Sequence, residues 1–69
     1  MNDELSDLIE EQRVAIHYHE TFLRLSAEGY KNAKAEDPNH IIVVGYEEQM
    51  GYLEGRRQRL AELLKEAAA

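Results

Sequence analysis

His17, His19 and Glu20 are the first residues in this chain whose types could do chemistry, because imidazole and carboxylate together make a donor set for a divalent metal. Their spacing argues against it. On a helix, residues two apart point about 200° apart, so His17 and His19 cannot share one metal within a chain. His17 and Glu20 are three apart and could supply two ligands on one face, but the Glu-x-x-His pattern of di-iron carboxylate bundles is absent. No metal and no cofactor are expected. Ser6, Thr21 and Ser26 have no evident base with a third group to orient it, so no catalytic residue and no enzymatic activity are predicted for the single chain. An oligomer could still build a site between chains.

A second set is basic and aromatic. Arg56 and Arg57 can grip a phosphate, His19 and Gln49 can add hydrogen bonds, and Tyr46 or Tyr52 can stack on a base. These six form the candidate ligand-binding set. The structural alternative is a polar layer that sets register and oligomer state, as single polar residues do in coiled coils. An arginine at a seam edge can also lay its stem on the core and extend its guanidinium to water.

Three Gly-Tyr pairs accompany this set: Gly29-Tyr30, Gly45-Tyr46 and Gly51-Tyr52. With Gly55, three glycines fall within the second half of the chain, and each costs roughly 1 kcal/mol relative to alanine in a helix interior. Close approach of another helix is one reason to keep them. Room for a ligand beside an aromatic face is another.

Two heptad stripes must position these residues. The first runs Leu5, Ile9, Gln12, Ile16, His19, Leu23, Ser26, Tyr30, Ala33; the second runs Val43, Tyr46, Met50, Leu53, Arg57, Leu60, Leu64, Ala67. Alternating steps of four and three keep side chains on one helix seam. The break between them is Asp37-Pro38-Asn39. The pattern predicts helix 1 over about residues 3–35, a turn at 36–38 and helix 2 over about 38–66. Asn2 or Asp3 can cap helix 1, and Asp37 with Pro38 reads as a cap followed by proline at the first position of helix 2. His40 is expected to be exposed or involved in capping. The β-branched run Ile41-Ile42-Val43-Val44 has no partner strand and is read as the first turns of helix 2. The fold class is all-α: one antiparallel helical-hairpin domain over residues 1–69.

Folding about residue 38 places Ile16 opposite Leu60, Leu23 opposite Leu53, Tyr30 opposite Tyr46 and His19 opposite Arg57. A buried charge is costly unless paired. Arg57 therefore needs a partner, either an anionic ligand or a glutamate such as Glu20 or Glu54 from a neighbouring chain. Each stripe is also wider than one seam. Helix 1 adds Leu8, Ala15, Phe22 and Gly29; helix 2 adds Ile42, Gln49, Arg56 and Leu63. One partner helix cannot cover so broad a face, so the hairpin is expected to associate into a four-helix bundle or a higher symmetric homo-oligomer.

Composition agrees. Sixty-nine residues make one small domain, and with no cysteine there is no disulfide or thiolate metal site to staple it. Neither a long apolar run nor a charged-then-apolar leader is present, so no membrane span, no signal peptide and a cytoplasmic location are expected. The net charge of −6 disfavours nucleic acid as a partner. Arg56, Arg57 and Arg59 are clustered but do not share a face.

Two functions follow. The first is sequestration of a small anionic ligand, such as a cyclic nucleotide, between subunits. In size and architecture alone, the chain looks like the small helical sponges with which phages absorb cyclic-nucleotide alarm signals; that resemblance implies a viral anti-defence role. The alternative is a protein-interaction module: an adaptor, regulator or small inhibitor. The arginines discriminate. Arginines buried and converging across chains without protein counter-charges favour the ligand; arginines paired with Glu20 or Glu54, or left in solvent, favour the interaction module.

Overall fold

The computed structural model describes residues 3–69. They form an all-α hairpin of two helices, α1 over Asp3–Glu36 and α2 over Ile41–Ala68. At 1.5 Å per residue, α1 alone accounts for the long dimension of a rod measuring 50 × 16 × 13 Å. Asp3 and Glu4 lie in the first turn of α1 and Lys34 in its last, matching the signs of the helix dipole. Asp3 sits inside the helix, and Asn2 lies outside the described residues.

The turn differs from the expected one. The Asp37 N–H closes α1 on the Ala33 carbonyl at 2.9 Å, and the Asp37 carbonyl accepts from the His40 N–H at 3.0 Å. The Asp37 side chain accepts from the Asn39 N–H at 3.0 Å. Its carboxylate therefore serves its own turn rather than a helix N-terminus. His40 caps α2 instead: its Nδ1 accepts from the Ile42 N–H at 3.1 Å. Helix 2 begins at Ile41, three residues after the position marked by Pro38, and ends at Ala68 rather than near residue 66. The run Ile41-Ile42-Val43-Val44 is helical, as its context predicts.

The core is narrow. Among the described residues, Ile9, Ala33, Val43, Leu53 and Leu63 are the buried apolar ones, and Gln12 is buried with them. In α1 the stripe read from the sequence is the one that packs. In α2 it holds at Val43, Tyr46, Leu53, Leu60 and Ala67 and fails at Met50, Arg57 and Leu64. Leu63 is 1% exposed, whereas Leu64 is 41% and Met50 49% exposed. The packed stripe thus keeps Val43 and Leu53 but takes Gln49 and Leu63 in place of Met50 and Leu64. The cause is polar. Gln49 and Arg56 share a heptad position with Leu63, and both are hydrogen-bonded to α1.

This register is open to a direct test. Leu63→Ala is expected to cost about 2–5 kcal/mol in urea unfolding, the usual range for a buried leucine, and Leu64→Ala under about 1.5 kcal/mol. Equal losses would mean that both leucines share the seam.

Candidate functional site

Two polar layers cross the seam, one on each side of it. On one side, the Arg56 guanidinium donates to Gln12 Oε1 at 3.3 Å, and His19 Nδ1 lies 2.7 Å from Gln49 Oε1. The amide oxygen accepts, so Nδ1 is the donor of this hydrogen bond. The edge of Tyr18 meets His19 with centroids 6.1 Å apart, and Tyr52 tilts against the other side at 6.3 Å.

On the opposite side the charges pair. Arg57 donates to Glu20 Oε2 at 3.1 Å, with both side chains about half exposed. Nearer the turn, the Tyr30 hydroxyl donates to Glu47 at 2.8 Å and accepts from Lys34 at 3.1 Å. Lys34 is held above its ordinary value of 10.5, first by the hydrogen bond to Tyr30, then by the charges of Tyr30 and Glu47. Tyr30 stacks on Tyr46 with centroids 4.0 Å apart, the juxtaposition expected from folding about residue 38.

The six candidate residues therefore separate. His19, Gln49, Tyr52 and Arg56 converge on one open hollow of about 570 Å³, floored by Gly51 and Gly55. Tyr46 lines a neighbouring hollow of about 410 Å³ with Phe22, Ser26, Ile42, Gly45 and Gln49. One face of the Tyr46 ring is already covered by Tyr30. Arg57 is not in either group. Its counter-charge is Glu20 of its own chain.

Arg56 differs from Arg57 in kind. Among the described residues no carboxylate lies within ion-pair distance of it, and its partner is the neutral amide of Gln12. A cation beside a histidine, an amide and a tyrosine ring can hold an anion through charge-assisted hydrogen bonds. His17 is exposed, and no three His, Asp or Glu side chains among the described residues are placed to hold a metal ion.

Sequence reasoning treated Gln12 as a register residue and missed it as the partner of Arg56. It also missed Tyr18 and Leu25. Both continue the Leu8, Ala15, Phe22, Gly29 stripe in alternating steps of three and four, which is the signal that could have found them. No helix among the described residues is long and apolar enough to cross a membrane. No family model matches the chain, and comparison with curated proteins and with solved structures finds no match.

The Arg57–Glu20 pair should be worth little, since both groups are half in solvent. A double-mutant cycle with Arg57→Ala and Glu20→Ala is expected to give a coupling of about 0.2–1 kcal/mol that fades in concentrated salt. A salt-insensitive coupling of several kcal/mol would show that the pair is buried in the working protein.

Proposed function

We propose that this protein is a non-enzymatic interaction module of the cytoplasm: a hairpin that works as a homo-oligomer and presents helical surface to a partner protein as an adaptor, regulator or small inhibitor. The observation that carries this reading is the apolar surface left over. Tyr18, Leu25 and Ile41 are 70, 72 and 81% exposed, against a core of five buried apolar residues. Patches of that kind on a small protein mark association sites. The two flanks of the seam have different apolar residues. Phe22 and Tyr52 line the open hollows, while Met50 and Leu64 share the heptad position of Arg57. A hairpin with two such flanks can join its own copies through one and receive a partner on the other. The intrachain pairing of Arg57 supports the same reading, since it removes one arginine that a ligand would have needed.

A second reading has its own support. The convergence of His19, Gln49, Tyr52 and Arg56, with Arg56 lacking a carboxylate, fits capture of a small anion such as a nucleotide, as in a phage sponge.

Native mass spectrometry of protein purified from cells separates the two. A bare oligomer is expected, with a specific protein recovered in a pull-down that a charged substitution at Met50 abolishes. An oligomer carrying small-molecule mass that Arg56→Ala removes, while the oligomer persists, would replace the interaction reading with sequestration.

A further inference from the structure

We infer that the flank of the hairpin carrying the hollows is the surface on which a second copy of this chain docks, face to face, with Glu11 of each copy against Arg59 and Arg56 of the other. The inference rests on the oligomeric reading above and adds to it the face and the orientation.

Surface area makes the first argument. The chain exposes 5233 Å². A globular monomer of 8.0 kDa is expected to expose about 4,450 Å². The excess, roughly 800 Å², is what one partner contributes to a standard protein interface. The hairpin is thus short of cover by about one subunit's worth.

The residues say which flank. On α1, Leu8, Ala15, Tyr18, Phe22, Leu25 and Gly29 repeat in heptad steps, forming a second seam turned about 100° from the packed one. A helix with two seams at that angle is built for a bundle of more than two helices. On α2, the same flank presents Ile42, Gly45, Tyr52 and Gly55, which line the hollows with Phe22, His19 and Gln49. The opposite flank is laced by Arg57–Glu20 and Lys34–Glu47.

The glycines supply a further reason. A Cβ built on Gly29, Gly45, Gly51 or Gly55 would meet nothing within 4 Å. No contact inside the hairpin explains them, although each weakens its helix. A second copy would explain those on the docking flank, because glycine lets a neighbouring helix or ring approach the backbone closely.

Charge sets the orientation. Arg56 bonds Gln12, and Arg59, which pairs with Glu62 of its own helix at 3.3 Å across exposed surface, lines a hollow with Leu8, so the exposed Glu11 lies on α1 at the level of these two arginines on α2. A two-fold axis along the hairpin sets α1 of one copy over α2 of the other at the same level. The contact of Glu11 with its partner's arginines then occurs twice, once from each copy, and Arg56 gains the carboxylate it lacks among the described residues of its own chain.

Sedimentation equilibrium across a concentration series, with circular dichroism to follow folding, tests this. The wild-type chain is expected to be a dimer or a multiple of one. Phe22→Asp should weaken association on the order of 100-fold or more. Met50→Asp, on the other flank, should leave it intact. Gly55→Ala should strengthen the helix and still weaken the dimer. Glu11→Arg should weaken it about tenfold, with recovery when combined with Arg59→Glu. Because Phe22→Asp could also loosen the hairpin, the charge-swap pair on exposed residues provides a readout that does not depend on it. A monomer at every concentration overturns both the oligomeric reading and the face. A dimer broken by Met50→Asp, or one that Gly55→Ala and Glu11→Arg leave unchanged, overturns the face alone.

Discussion

A buried amide must be hydrogen-bonded, and in this hairpin one such amide governs how the two helices meet. Gln12 is 7% exposed within an apolar seam. An unsatisfied amide there would cost about 1–3 kcal/mol, a large fraction of what so small a core can supply. The partner it finds is Arg56. Along that stripe Leu63 is buried, Gln49 is partly buried and Arg56 reaches back to α1 from exposed surface, while Met50 and Leu64 are left half outside. Burying leucine at 63 or 64 recovers the same apolar area, so hydrophobicity alone is indifferent between them. The polar layer decides, as single polar residues do when they set register in coiled coils.

The same decision divides the surface into two kinds. Turning Arg56 towards Gln12 places it on the side of His19, Tyr52 and the hollows, and turning Arg57 the other way lets it reach Glu20. Two adjacent arginines thereby acquire different environments. One is paired and half in solvent, so its charge is spent locally. The other has only a neutral partner, so its charge is available to whatever covers that flank.

Much of the fold was legible in the sequence because heptad spacing is a geometric signal that side-chain chemistry reinforces. Both helices, the reversal near Pro38 and the Tyr30–Tyr46 stack follow from it. The start of α2 did not. Asp37 has two uses, as a helix cap or as the acceptor of its own turn, and only backbone geometry selects the second. The α2 register was hidden for a related reason: leucines at 63 and 64 satisfy neighbouring stripes equally. Of the candidate site, His19, Gln49, Tyr52 and Arg56 could be gathered from type and position, since each is a polar or aromatic interruption of an apolar pattern. The in-chain pairing of Arg57 with Glu20 was not legible, because seam positions say little about what a long side chain reaches along the surface.

The net charge of −6 would give the proposed dimer a distinctive electrostatic character. Two copies repel through their excess acids, a term that salt screens. In the proposed dimer, contacts between Glu11 and the arginines would attract, and these would be screened less once the apolar flank excludes water around them. Apolar burial responds to moderate salt only weakly. Association driven by the Tyr18, Phe22 and Tyr52 surface should therefore strengthen, or hold steady, as salt rises, whereas capture of a small anion by Arg56 should weaken. The opposite salt responses follow from the same arginine, according to whether a carboxylate of a second copy or a free anion completes its environment.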